Sequence, residues 1–224
     1  MPILEEHQPY FNSINKEIPS VTTVLKLLNK PELVDWANWM GKIGKDSKEF
    51  TLQSAQVGTC VHYIIERICK KKIIRLDDMY DKLSDNQIKK VDKAVGSFKK
   101  WKKETKPKFK HNELKVQDEK VGGTIDCICK IDGLTYMVDF KTSKQVYPVY
   151  FLQLAGYNYL YKKVYNKSID KAGILVLDKY KYRYDFVFTD IDIIEKYYEP
   201  VFLKLLDIYY EWRDILYYDW NKEL

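Results

Sequence analysis

The spacing of apolar positions changes near the middle of the chain. Upstream it follows the helical period, and downstream it alternates or runs continuously, as strands do. The first 18 residues read as irregular. Pro19-Ser20 then precedes Val21 to Leu28, a short helix with Ser20 as its N-cap. Pro31 occupies a first helical position, and Leu33, Val34, Trp36 and Ala37 carry that helix to Met40 before Gly41 and Gly44 break it. A longer helix is predicted from Ser47 to Lys71 on the recurrence of Val57, Val61, Ile64, Ile65 and Ile68. Ser84 caps another, whose apolar face is Ile88, Val91, Val95, Phe98 and Trp101 and which Pro107 ends. Strands follow over Phe109–Val116, Thr124–Ile131 and Leu134–Lys141, the last two joined by the hairpin signal Asp132-Gly133. Pro148 opens a helix to about Val164. Ala172–Leu177 is a buried strand and Tyr182–Phe188 another, and an amphipathic helix broken at Pro200 fills the remainder.

This order predicts an α/β fold in one domain. A helical N-terminal elaboration spans 1–55, the core 56–188, and a helical C-terminal segment 189–224. The 224 residues are 46% hydrophobic and 31% charged, with only 9 Gly and 7 Pro, which excludes a low-complexity chain and supports a packed core. No apolar run reaches the roughly 20 residues of a membrane span, and Met1-Pro2-Ile3-Leu4-Glu5-Glu6 lacks the features of a signal peptide, so the expectation is an intracellular protein without a membrane partner. Cys60, Cys69, Cys127 and Cys129 form no Cys-x-x-Cys pair, and Cys127 and Cys129 fall on one side of a strand, as small buried groups would. The net charge of +6 is uneven, since the chain from Asp190 onward is acidic and everything before it is basic. A basic body of that kind suits a polyanionic partner, and the 19 tyrosines offer stacking surfaces for bases.

Candidate chemistry gathers on the predicted core. In Val138-Asp139-Phe140-Lys141-Thr142, alternation places Asp139 and Lys141 on one face while Val138 and Phe140 point into the core. Across the hairpin, Asp126 in Gly122-Gly123-Thr124-Ile125-Asp126 shares the face of Asp139. Two carboxylates held together call for a cation or a proton between them, and hard oxygen ligands suit Mg²⁺ or Mn²⁺. Gly122-Gly123 reads either as a turn or as an opening through which a ligand approaches the backbone. His62 and Glu66 lie one turn apart on the long helix, and Gln153 and Tyr157 one turn apart on the helix after the third strand. Glu113, on the first strand, is a third carboxylate in reach. Taken singly, each reads equally well as a surface ion pair or a polar stripe.

The ordered set Gly58-Thr59-x-x-His62-x-x-x-Glu66, Gly123-Thr124-Ile125-Asp126, Asp139-Phe140-Lys141-Thr142 and Gln153-x-x-x-Tyr157 resembles the PD-(D/E)XK nuclease superfamily, in its RecB-type exonuclease branch. The resemblance covers Gln56 to Leu177. Pro19-Ser20-Val21-Thr22-Thr23-Val24-Leu25 and Trp36-Ala37 resemble the mitochondrial genome maintenance exonucleases and their phage relatives. A proline before the active Asp is missing here, where Ile125 stands. The resemblance implies a restriction-endonuclease-like core and hydrolysis of DNA phosphodiesters to a 5′-phosphate and a 3′-hydroxyl. It implies one or two Mg²⁺ or Mn²⁺ ions on His62, Asp126, Asp139 and the Phe140 carbonyl, with Glu66 bracing His62 or a water. Lys141 would position or deprotonate that water or stabilise phosphorane charge. Burial and a metal would lower its pKa, and the carboxylates oppose this. Gln153 and Tyr157 would orient the phosphate or the attacking water. Because no cysteine follows Cys129, no iron–sulfur cluster is expected.

Substrate contacts are expected from Ser20, Thr22, Thr23 and Thr142, and from the lysine run Lys99, Lys100, Lys102 and Lys103, which reads equally well as a backbone track or a solvated helix end. The expected partner is single-stranded or end-containing DNA. A structure-specific or nicking endonuclease and a non-catalytic nucleic-acid-binding subunit are the alternatives. Tyr209, Tyr210, Trp212, Tyr217, Tyr218 and Trp220 make an aromatic C-terminal helix that packs on the core or meets a protein partner.

Overall fold

The computed structural model describes residues 9–28, 30–75 and 77–216. Tyr217, Tyr218 and Trp220 therefore lie outside the described residues. Short strands β1 (Tyr10–Phe11) and β2 (Glu17–Ile18) lead into α1 (Val21–Val24), α2 (Pro31–Lys42), α3 (Ser47–Cys69), α4 (Asp77–Tyr80) and α5 (Asp85–Thr105). Strands β3 (Lys108–Gln117), β4 (Gly122–Ile131) and β5 (Leu134–Lys141) follow, then α6 (Pro148–Tyr165), β6 (Lys171–Leu177), β7 (Tyr184–Asp190), α7 (Ile191–Ile193) and α8 (Glu199–Leu216).

Local chemistry explains the helix ends. The Ser20 hydroxyl accepts from Thr23 N at 3.0 Å and caps α1, and Asp46 caps α3. Ser84 and Gln87 close a reciprocal capping box on α5. Lys106 and Asn166 end α5 and α6 in the left-handed conformation.

Strands β3 to β7 form one sheet in that order, antiparallel except for the parallel pair β5–β6, which α6 connects. At the β4–β5 hairpin Asp132 and Gly133 both have positive φ, the turn that the Asp-Gly signal predicts. One face of the sheet packs against α1, α6 and α8, the other against α3 and α5, giving a three-layer α/β arrangement. Strand β5 is consequently enclosed on both sides, with Met137 facing α6 while Val138 and Phe140 pack with Phe98 and Trp101 of α5. Phe98 and Trp101 are fully buried with ring centroids 5.6 Å apart, and truncating either would cost roughly 3–5 kcal/mol. Cys127 and Cys129 lie in this second core as buried free thiols.

Several expectations are corrected. Residues 10–18 are a hairpin, because Asn12 Oδ1 accepts from the backbone N–H groups of Ile14 (3.2 Å) and Lys16 (2.8 Å) and turns the chain back. Gly122 and Gly123 belong to β4, and tyrosine rings rather than a ligand fill the space they leave. A Cβ on Gly122 would sit 2.2 Å from Tyr10 Cγ, and one on Gly123 2.6 Å from Tyr157 Cε1. The last helix does not break at Pro200. A π-turn at Ile194–Tyr198 runs straight into α8, and Pro200, which has no N–H to donate, is absorbed directly after that turn. No helix among the described residues is long and apolar enough to cross a membrane.

Candidate functional site

The site is built where the β4–β5 ladder opens. Backbone pairing ends at Cys127↔Val138, and beyond it the Asp126 side chain takes over, its Oδ2 accepting from Phe140 N at 2.7 Å. The other Asp126 oxygen then faces His62 of α3, 3.6 Å from Nδ1. On its opposite edge the ring meets the Phe140 carbonyl, Nε2 lying 3.1 Å away. Phe140 is thus held at both its N–H and its C=O by side chains of two different elements.

Glu113 completes this corner through an unusual backbone. Its φ is +51°, between the ladder pairs Asn112↔Cys127 and Leu114↔Ile125. Asn15, Lys71, Lys106, Asp132 and Asn166, the other described non-glycine residues with positive φ, sit at turns or helix ends. Glu113 alone bears that strain inside a strand, where it costs on the order of 1–3 kcal/mol. The twist brings its Oε1 to 3.8 Å from His62 Nδ1. One donor atom each from His62, Glu113 and Asp126 falls within 4.8 Å of the others, a grouping able to hold a cation.

Asp139 and Lys141 lie beside this corner on the α6 side of β5. Lys141 Nζ is 2.7 Å from Asp139 Oδ2 and donates to Gln153 Oε1 at 3.0 Å. Gln153 Nε2 in turn donates to the Tyr157 hydroxyl at 2.8 Å, so one turn of α6 braces the lysine. Asp139 is 1% exposed, and the Lys141 ammonium is the one side-chain partner of its oxygens among the described residues.

The electrostatics follow from burial and crowding. Burial pushes Asp139 up to about 6, with Asp126 adding to the shift and Lys141 opposing it. Asp126 is raised for the same first reason, against the pull of His62. Burial disfavours a charged His62, but Asp126 and Glu113 outweigh it and lift the imidazole to about 9. Burial likewise lowers Lys141, and Asp139 and Asp126 more than offset this, so its pKa stands above the ordinary value. Between the two effects anticipated for this lysine, the carboxylates dominate among the protein's own groups. Three carboxylates facing one imidazole and one ammonium leave an excess of negative charge in a confined space.

The structure brings His62, Asp126, Asp139, Phe140, Lys141, Gln153 and Tyr157 together, and Glu113 with them. Glu66 goes elsewhere. Its Oε1 accepts from Lys70 Nζ at 2.6 Å, the neighbour one turn along α3, and it does not brace His62. Ser20 joins β4 at Gly122, and its hydroxyl is engaged by Thr22 and Thr23 at the start of α1. Thr142 Oγ1 lies beside Gly58 of α3. Lys99, Lys100 and Lys103 are exposed on the outer side of α5, while Lys102 turns toward the Phe109 ring. That run leads to the far end of the sheet, where Lys108 pairs with Lys130 near the hairpin, about 23 Å along β5 from Lys141. A cleft of about 540 Å³ there, lined by Lys106, Lys108, Lys130, Glu104 and Asp132, is mixed in charge and remote from the site. Two site neighbours were not among the candidates. Tyr10 reaches Thr124 Oγ1 at 2.8 Å through the hairpin, and the Tyr150 ring lies 5.0 Å from Lys141 Nζ. Tyr150 sits nine residues after Lys141 at the start of α6, a position that helical periodicity could have marked. No family model matches the chain, and no curated protein matches it.

Proposed function

We propose that the chain is a divalent-metal-dependent nuclease of the PD-(D/E)XK type, cutting DNA phosphodiester bonds at ends or in single strands. The observation that carries this reading is Asp139. A carboxylate that is 1% exposed, has the Lys141 ammonium as its one side-chain partner among the described residues, and lies close to a His62, Glu113 and Asp126 grouping able to hold a cation keeps lone pairs to spare for a metal ion. The donor set of carboxylate oxygens, an imidazole nitrogen and the Phe140 carbonyl fits Mg²⁺ or Mn²⁺. His62, Asp126 and Asp139 would hold the ion, with Glu113 next to them. Such an ion, when bound, neutralises charge on the phosphate under attack and makes a nearby water more acidic.

The chain's own residues do the remaining work. Lys141 is an ammonium with one donor committed to Gln153 and its charge fixed against Asp139, leaving further N–H capacity for a phosphate oxygen. Gln153 and Tyr157 set the direction of that ammonium. Asp126 ties its own position to the backbone N–H of Phe140, whose carbonyl is met by the His62 imidazole.

The test is a gel assay on end-labelled linear single-stranded DNA and on closed circular single-stranded DNA, each with Mg²⁺, Mn²⁺ or EDTA. The expected result is metal-dependent loss of the linear substrate, abolished by Asp139→Ala while DNA binding survives. Cutting of the circle would establish an endonuclease instead. No cutting by the wild-type chain, or cutting by Asp139→Ala at the wild-type rate, would overturn the assignment.

A further inference from the structure

Strands β5 and β6 run parallel and stop together, Lys141 opposite Val176 with Leu177 one residue beyond. The loops that leave them, 142–147 and 178–183, therefore emerge on the edge of the sheet that carries the site, the edge where open α/β sheets receive ligands. The second loop is pinned to α5. Ser97 Oγ lies 3.1 Å from the carbonyl oxygens of both Asp178 and Lys181, and Asp178 Oδ1 accepts from the backbone of Tyr180 and Lys181. Gly96 makes room for the Tyr182 ring, since a Cβ there would stand 2.3 Å from Cδ1.

Cations and aromatic faces converge on this loop. Lys93 Nζ stands 3.9 Å from the Tyr182 centroid and Lys90 Nζ 5.9 Å from that of Tyr180. Tyr180 and Tyr182 are nevertheless 55% and 56% exposed. Lys179 is partly buried among them, and its pKa is lowered by that burial and by Lys90 and Lys144. Lysines from α5 and from the loops after β5 and β6 are thus crowded together, and one of them, Lys144, is three residues past Lys141 in the chain. Among the described residues none of the four is ion-paired, and the nearby Asp178 is committed to Arg183 and to its own loop. Crowded cations without carboxylates are unfavourable alone. Interleaved with exposed rings, they match the backbone charge and the base faces of a single strand.

We infer that Lys90, Lys93, Lys144 and Lys179, with Tyr180, form the track that seats the backbone and one base of a single-stranded nucleic acid beside Lys141. The track rests on the nuclease reading for the place of the scissile bond, and its own test is binding alone. It also takes the role that the chain order assigns to Lys99–Lys110, which lies toward the other end of the sheet.

The experiment is fluorescence anisotropy with a labelled single-stranded oligothymidylate in EDTA over a salt series. The triple variant Lys90→Gln, Lys144→Gln, Lys179→Gln should lower the slope of log affinity against log salt by about 2, and the affinity at 0.1 M salt by about 100-fold. Tyr180→Ala should weaken binding on the order of 10-fold with the slope unchanged. The control Lys99→Gln, Lys100→Gln, Lys103→Gln should change neither. Lys179→Gln relieves repulsion, so its melting temperature should not fall, and lost binding with an intact melt identifies a contact. A triple variant that binds like wild type, a loss confined to the control set, or a wild-type chain that does not bind would each overturn the track. A wild-type chain that binds through these lysines yet cuts nothing would overturn the nuclease reading and leave the track established.

Discussion

Two aspartates in this molecule face lysines at nearly the same distance and behave in opposite ways. Asp118, in the turn between β3 and β4, lies 2.6 Å from Lys163, and Asp139 lies 2.7 Å from Lys141. Asp118 also accepts from the backbone of Lys120 and Val121 and from the Tyr159 hydroxyl. Burial works to raise its pKa, but the Lys163 ammonium and these donors hold it below the usual value. Asp139 has the Lys141 ammonium and no further donor among the described residues, and burial carries it up to about 6. The ion-pair distance is therefore a poor guide. What separates a carboxylate that holds the fold together from one kept for chemistry is how many of its lone pairs the protein satisfies.

The largest effect that tests this contrast is on activity. Asp139→Asn should reduce metal-dependent cleavage at least about 100-fold while changing the urea midpoint little, because relief of a carboxylate that burial disfavours is set against the loss of Lys141's partner. A marked loss of stability would make Asp139 a structural residue like Asp118. The converse substitution, Asp118→Ala, should cost on the order of 2–3 kcal/mol in urea unfolding, with cleavage per folded molecule unchanged. A neutral result would remove the structural half of the comparison.

Smaller effects sharpen it. Gln153→Ala frees one donor of Lys141 and should slow turnover about 10-fold with little change in metal affinity, which separates a brace on the lysine from a metal ligand. The two aspartates should also leave opposite marks on acid stability, measured by urea midpoints in EDTA. The folded pKa of Asp118 lies below its unfolded value near 3.8, so its contribution is complete above about pH 4 and is lost on further acidification. The folded value of Asp139, about 6, lies above its unfolded one, so its contribution declines as pH rises from about 4 to about 6 and is flat beyond. Asp118→Asn should erase the first trend and Asp139→Asn the second. The same profile in both variants would dissolve the contrast.

How far the site was legible in the chain depends on where each residue's partner lies. Asp139 and Lys141 are two apart on one strand, and Gln153 and Tyr157 one turn apart on one helix, so period alone places each pair on a common face. The meeting of Asp126 with Asp139 was legible too, since a hairpin of known length sets one against the other. Glu66 does not meet His62 because spacing predicts only its side of α3, and Lys70 competes for it one turn away. The N-terminal hairpin was missed because two-residue strands carry no periodicity, and its Asn12 turn depends on side-chain bonds. With it went Tyr10, whose ring fills the space above Gly122.

The sequence by itself determined the order of elements, the meander with its Asp-Gly turn, the capped helices and the pairs of polar residues on single elements. Those are local matters, decided within a few residues by caps, turn chemistry and the period of apolar positions. Only the tertiary structure decided that Glu113 adopts a left-handed backbone inside a strand, that Asp126 replaces a ladder bond to Phe140, and that Asp139 is buried with Lys141 as its one side-chain partner among the described residues. It also decided that Lys179, after β6, is crowded by Lys144, after β5, and by Lys90 of α5. Strand pairing and burial bring residues distant in the chain into one low-dielectric space, and it is there that charge, strain and unsatisfied groups acquire their energies.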